Sequence, residues 1–274
     1  RAGVGVDTID VPAATEHGIA VLNAPAGNTI SAAELTMALM LSVARRVAAA
    51  DRSMKAGAWD RAKFGGSELY GKTLGLVGAG RIGSEVATRA RAFGMRVVIY
   101  DPYLQADRAE ALGAELAPLD DVLRRADVLS AHVPLTPATT GLIGAAELAM
   151  MKPTAVVLNV ARGEIYDETA LVAALANGTI AGAGLDVYEQ EPLPADHPFR
   201  ALDNAVLTPH LGASTEEAQQ NVALEIAAAV RDALVDGDLT RAVNAPGIGG
   251  DKMRRLRPML DLAGRIGRIA STLV

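Results

Sequence analysis

The stretch Leu74–Asp101 constrains this chain most. A short apolar run, Leu74 to Gly78, enters Gly78-Ala79-Gly80-Arg81-Ile82-Gly83. A helix-like segment, Ser84 to Phe93, follows, then a second apolar run, Arg96 to Tyr100, closed by Asp101. The pattern is strand, glycine turn, helix, strand and terminal acid, and each part has a task in holding a dinucleotide. Gly78 permits the tight turn, Gly80 lets backbone approach a pyrophosphate, and Gly83 lets helix and strand lie close. The helix start offers free N–H groups and a positive dipole end to the phosphates. Asp101 stands 18 residues beyond Gly83, near the ~20 expected of an acid on the adenosine ribose. A purely structural βαβ unit would share the glycines, but the full ordered set weighs against it. An acid at Asp101, followed by Pro102 and Tyr103 rather than arginine, points to NAD over NADP.

Beyond this unit, apolar runs and helical segments alternate. Strands are expected at 128–133, 155–160, 181–187 and 204–208, and helices at 107–112, 119–125, 145–151, 168–176 and 215–235. Alternation of this kind predicts an α/β fold, a Rossmann-type doubly wound parallel sheet. Upstream, Ser31-Ala32-Ala33-Glu34 reads as a capping box opening one helix from Ser31 to about Lys55. Val4–Ile9 and Ile19–Leu22 read as extended. Residues 237–250 read as a glycine-rich connector, and 254–274 as the start of another helix.

Composition narrows the partners. The 274 residues carry a net charge of −6 and few aromatics, and no basic run appears, so nucleic acid is not expected. No segment is apolar and long enough to span a membrane. There are no cysteines, which fits a reducing cytoplasm. His17, His132, His197 and His210 show no metal-ligand spacing, and no metal is expected. His132, inside an expected strand, reads as structural; His17 and His197 read as surface or turn residues.

Ligands of open parallel sheets bind beyond the carboxyl ends of the strands. There the sequence places Arg162, then Glu189 and Glu191, then His210. The set suits hydride transfer at C2 of a 2-hydroxy acid. Histidine handles the proton near neutral pH, a carboxylate orients it and stabilises the imidazolium, and a guanidinium fork holds the substrate carboxylate. Each residue alone could be a surface ion pair, a loop acid or a turn histidine.

Seven ordered segments carry a family resemblance: Arg1–Asp7, Asn23–Asn28, Ser31–Glu34, Val77–Gly83, Asn159–Gly163, Leu185–Tyr188 and Pro209–Thr215. With them the chain resembles the D-isomer-specific 2-hydroxyacid dehydrogenases over residues 1 to about 245. Val160 occupies a site where relatives vary between small residues. The resemblance implies Arg162, Glu191 and His210 as the catalytic trio. It implies NAD contacts at Val4, Arg81, Ile82, Asp101, Val133, Pro134, Val160, Ala161, Asp186, His210 and Ala213. Arg1, Gly3, Val4, Gly5 and Arg162 match substrate-binding positions. It further implies a discontinuous, flavodoxin-like substrate domain, here partial, over 1–24 and 210–240, an NAD-binding domain over 25–209, and a linker leading to a regulatory region over 241–274, with both ends cut. A phosphorylated 2-hydroxy acid substrate, a homodimer or homotetramer and a cytoplasmic location are expected. The alternatives are a glyoxylate or hydroxypyruvate reductase, and an NAD(H)-sensing interaction protein of the corepressor type.

Overall fold

A computed structural model describes residues 1–245 and 249–272. The chain divides into two compact units, Thr29–Ser214 and a discontinuous unit of Arg1–Asn28 with Thr215–Val274. In chain order the helices are α1 (Val11–Glu16), α2 (Thr29–Ala44), α3 (Val47–Lys55), α4 (Arg81–Ala92), α5 (Ala106–Ala111), α6 (Leu119–Arg125), α7 (Ala145–Met150), α8 (Glu168–Ala176), α9 (Glu216–Asp236) and α10 (Gly250–Ser271). The strands are β1 (Thr73–Val77), β2 (Arg96–Tyr100), β3 (Glu115–Leu116), β4 (Val128–Ala131), β5 (Val156–Asn159), β6 (Gly182–Leu185) and β7 (Ala205–Leu207).

All seven strands belong to the unit 29–214 and form one parallel sheet in the order β3-β2-β1-β4-β5-β6-β7. Both faces are covered, so the strands read as continuous apolar runs rather than alternating ones. Successive side chains nevertheless divide between the faces. Leu74, Leu76, Ile99 and Leu158 pack with Met37 and Met40 of α2 and Val86 and Ala90 of α4. Val77, Val98, Leu129 and Val157 pack on the other face with Val122 and Leu123 of α6, Leu148 of α7 and Leu171 and Leu175 of α8.

The expected helix from Ser31 to Lys55 is two helices. The first starts earlier, at Thr29, so Ser31 sits inside its first turn. Arg46, at φ 52°, separates α2 from α3. The break is tertiary in origin. The Ser67 N–H donates to Ala44 O at 2.9 Å, the helix-end carbonyl. Arg46 donates to Lys63 O at 2.7 Å and lies over the Phe64 ring. The segment 61–67 thus captures groups a continuous helix would use.

In the discontinuous unit, Val4–Ile9 forms bends and a turn rather than a strand, and Ile19–Leu22 contributes one antiparallel bridge, Leu22 to Ala242. Thr215 caps α9 by accepting from Ala218 N at 3.1 Å. Helix α10 begins at Gly250, ahead of the expected 254, and packs against α9. The expected connector and final helix include residues 246–248 and 273–274, which lie outside the described residues. The compact units meet in sequence at 28/29 and 214/215, with His210 in the sheet-bearing one and the described part of 241–274 in the other.

Candidate active site

The cofactor turn follows β1. Gly78, at φ +90°, takes a backbone conformation that side-chain-bearing residues rarely adopt, and a Cβ there would sit 2.7 Å from Val133 Cγ1 and 2.9 Å from His132 O. A Cβ on Gly83 would lie 2.3 Å from Gly78 O, so only glycine lets α4 approach the strand end this closely. Gly80, the N-cap of α4, opens on free space: no heavy atom lies within 4 Å of where its Cβ would be. The first-turn N–H groups of a helix have no partner within it, and here they stand beside that opening. Asp101, at the end of β2, accepts from Ala79 N at 2.9 Å through Oδ2 and from Tyr103 N at 2.9 Å through Oδ1. Its carboxylate is therefore held against the turn, and the whole fits a dinucleotide pyrophosphate and ribose.

His132 lies just past β4, not inside it, directly under this turn. It is half-buried with its Nδ1 enclosed, and desolvation pushes its pKa down to about 4. Its Nε2 is 2.9 Å from Ser130 Oγ. Val133 and Pro134 continue the same loop. Val160 is buried and Ala161 half-buried after β5.

Three neighbouring strands, β5, β6 and β7, deliver the polar residues. After β5, buried Asn159 shapes the Arg162 loop: its Oδ1 accepts from Ala161 N at 3.1 Å and its Nδ2 donates to Arg162 O at 2.8 Å. The Arg162 guanidinium donates to Ala161 O at 2.6 Å. After β6, Glu191 turns back on its own loop, Oε1 accepting from Tyr188 N at 3.1 Å. Its Oε2 lies 2.6 Å from His210 Nδ1, which stands after β7. That bond places the proton on Nδ1 and leaves Nε2 as the ring's acceptor. Glu191 and His210 open onto a cavity of about 650 Å³ also lined by Tyr188, Leu193, Arg200 and Thr208.

Asp186 is the hidden brace. It is fully buried at the end of β6. Oδ1 accepts from Thr208 Oγ1 at 2.6 Å and Leu211 N at 2.7 Å, Oδ2 accepts from Gly212 N at 2.8 Å, and its carbonyl accepts from His210 N at 2.8 Å. Burial pushes its carboxyl up from the ordinary range, against the opposing pull of these donors. His210 itself sits at φ +56°, and these four bonds hold it there. The Asp186 carboxylate is thus engaged by the histidine loop.

The structure thus brings Glu191 and His210 into contact, with Arg162 on the adjacent loop. Arg1, Gly3, Val4 and Gly5 lie in the other unit, where Gly3 O accepts from Ala24 N at 2.9 Å and Val4 O from Asn23 Nδ2 at 2.7 Å. Ala213 lies one residue before the end of the sheet-bearing unit, just past the histidine loop. Asn159, Thr208 and Tyr188 were not singled out by sequence reasoning. His197, expected at the surface, is largely buried and sits 3.3 Å from Glu168 Oε2. Among the described residues no cluster of His, Asp and Glu could hold a metal ion, and no helix is long and apolar enough to cross a membrane.

Comparison with known proteins agrees with this geometry. The model of the D-isomer specific 2-hydroxyacid dehydrogenase NAD binding domain matches residues 37–212. The chain is 50% identical to a D-3-phosphoglycerate dehydrogenase of Synechocystis over 273 residues, covering 100% of this chain and 49% of that protein. It is 47% identical to the Bacillus subtilis enzyme of the same name over 271 residues, 99% of this chain and 51% of that one. The chain therefore spans about half the length of the curated relatives it matches. Among solved structures, a glyoxylate reductase from Paecilomyes thermophila superimposes with TM-score 0.82 at 39% identity, over 88% of this chain and 73% of that one. A D-lactate dehydrogenase from Aquifex aeolicus, complexed with NAD and lactic acid, gives 0.80 at 34%, over 89% and 79%. The chain belongs to the D-isomer specific 2-hydroxyacid dehydrogenase family, and residues 37–212 correspond to its NAD binding domain.

Proposed function

We propose that this chain forms the cofactor-binding and proton-transfer core of an NAD-dependent D-2-hydroxyacid dehydrogenase that oxidises 3-phosphoglycerate to 3-phosphohydroxypyruvate, the entry step of L-serine synthesis. The observation that carries the chemistry is the Glu191–His210 contact at 2.6 Å on the carboxyl edge of the sheet. The observation that favours this substrate is 47–50% identity to proteins of that name along nearly the whole chain, against 39% to the glyoxylate reductase.

In oxidation, neutral His210 accepts the C2 hydroxyl proton at Nε2 while Glu191 stabilises the imidazolium through Nδ1. The bound NAD supplies the acceptor for the C2 hydride. Arg162 takes the role of substrate carboxylate anchor, for which a planar two-pronged cation is suited. Arg81, Ile82 and the glycine turn hold the pyrophosphate, and Asp101 holds the ribose and disfavours a 2′-phosphate. Val4, Val133, Pro134, Val160, Ala161 and Ala213 complete the proposed cofactor contacts, and Arg1 with Gly3 to Gly5 the proposed substrate segment. Residues 1–24 with 210–240 serve as part of the substrate domain, and 241–274 leads to a regulatory region. The working enzyme is a homodimer or homotetramer in the cytoplasm.

The test is steady-state turnover of the full-length protein with 3-phosphoglycerate, glycerate and glyoxylate, each with both nicotinamide cofactors. The expected result is the highest kcat/KM for 3-phosphoglycerate with NAD. A preference for glyoxylate moves the assignment to the reductases. Tight NADH binding without turnover of any of them overturns the enzyme reading in favour of an NADH sensor. Light scattering at micromolar concentration reads the oligomeric state.

A further inference from the structure

Two acidic residues outside the trio make a reciprocal bond between the loops that carry it. Glu168 opens α8, a few residues after Arg162, and its N–H is one of the donors a helix start leaves without an internal partner. Glu189, two residues before Glu191, accepts from that N–H at 3.2 Å through Oε1. In return the Glu189 N–H donates to Glu168 Oε1 at 2.7 Å. Each carboxylate thus holds the other residue's backbone. Between them the loops touch main chain to main chain: a Cβ on Gly163 would lie 2.0 Å from Tyr188 C and 2.3 Å from Glu189 N. Gly163 directly follows Arg162, and the Tyr188 N–H is the one that donates to Glu191 at 3.1 Å.

A third group steadies the pair. His197 Nδ1 accepts from Phe199 N at 3.3 Å, so the ring carries its proton on Nε2, which lies 3.3 Å from Glu168 Oε2. Glu168 is buried, at 8% exposure, while Glu189 is exposed. Burial pushes the Glu168 carboxyl up, so the fold keeps a carboxylate there at a cost, which the bonds to Glu189 and His197 offset. A surface loop pair with no task would not require this arrangement.

We infer that Glu168 and Glu189 are positioning residues, a two-way latch that fixes the Arg162 loop to the Glu191 loop and so sets the spacing between the substrate anchor and the Glu191–His210 pair. The inference rests on the dehydrogenase reading for its kinetic consequence, and on the geometry alone for its structural one. Small displacements of such groups cost roughly 10- to 100-fold in rate.

The experiment compares Glu189→Ala, Glu189→Gln, Glu168→Ala and the Glu168→Ala/Glu189→Ala double variant with wild type, in the full-length protein. Glu189→Ala is the deciding variant because its side chain is exposed and its loss leaves the core intact. It should raise KM for the oxo acid and lower kcat, with kcat/KM down about 10-fold or more. Glu189→Gln keeps an acceptor oxygen for the Glu168 N–H and should restore most of the loss. The double variant should be no worse than the worse single one, because both bonds belong to one latch. Hydrogen exchange of segments 162–168 and 186–191 should speed up in Glu189→Ala and not in Glu189→Gln, a readout that needs no turnover. Unchanged exchange in Glu189→Ala overturns the latch. So does kcat/KM within twofold of wild type, or Glu189→Gln failing as far as Glu189→Ala. A wild type that turns over no 2-hydroxy acid sinks the dehydrogenase reading instead, and exchange still decides the latch.

Discussion

The turn after β1 and the loops after β6 and β7 solve opposite problems. The turn works by absence. It has no Cβ at Gly78, Gly80 or Gly83, so a ligand and a helix can reach the backbone. The loops work by presence. Asp186 gathers four hydrogen bonds around His210, and Glu191 supplies a fifth contact to the ring. A phosphate needs main-chain donors and room, whereas a proton needs one atom held in one place. The two regions should therefore fail differently: the turn through added atoms, the loops through removed ones.

The largest separation is expected at His210. His210→Ala should lower turnover by ~10²–10⁴-fold while NADH titration by fluorescence stays close to wild type. Near-normal turnover would require another proton donor. Next is His132, beneath the turn. Its pKa in the fold, about 4, lies below the ordinary 6.5, so between those values the unfolded chain binds a proton that the native one refuses. Stability should be full above pH 6.5 and fall as pH drops toward 4, by on the order of 3 kcal/mol. Thermal melts from pH 4 to 7 should show a shallower slope for His132→Gln; an identical slope would mean the ring is not held neutral. Asp186→Ala leaves the Leu211 and Gly212 N–H groups without their partner and should cost about 2 kcal/mol, with a fall in kcat that urea titration and kinetics resolve together. An NADH affinity lost in full with stability intact would instead return Asp186 to the cofactor. Gly83→Ala forces a methyl against Gly78 O and should cost about 1–2 kcal/mol, read by the same titration. Gly80→Ala is the smallest and the sharpest contrast. Nothing in the fold opposes its methyl, so stability should stay within ~0.5 kcal/mol while NADH affinity falls. Destabilisation there would show the open space to be filled.

Much of this was legible in the sequence where a feature is local and periodic. The bounds of β2, α6 and α8 match the expected runs because both depend on neighbours in the chain. The glycine turn and its terminal acid follow from fixed spacing. The break at Arg46 was not legible, because it is imposed by the distant segment 61–67 competing for Ala44 O and the Arg46 side chain. The two-residue β3 has no pattern of its own and exists by pairing with β2. The trio could be named from strand ends and resemblance. The brace at Asp186 and the Glu168–Glu189 exchange could not, since bonds from side chains to distant backbone leave no period to find. For the same reason His197 read as a surface residue.

The left-handed backbone at His210 has a consequence for how this protein drifts. Such a conformation costs a side-chain-bearing residue about 1–2 kcal/mol, which glycine escapes and asparagine partly offsets through local hydrogen bonds of its short side chain. A library selected only for heat resistance should therefore enrich His210→Gly and His210→Asn, gaining melting temperature as it loses turnover. A lineage released from the proposed dehydrogenase activity would feel the same pull, so the position proposed to carry the proton transfer is also the one where decay is rewarded. Alanine, which gains no such relief, is the wrong replacement for measuring that pressure, and asparagine is the right one.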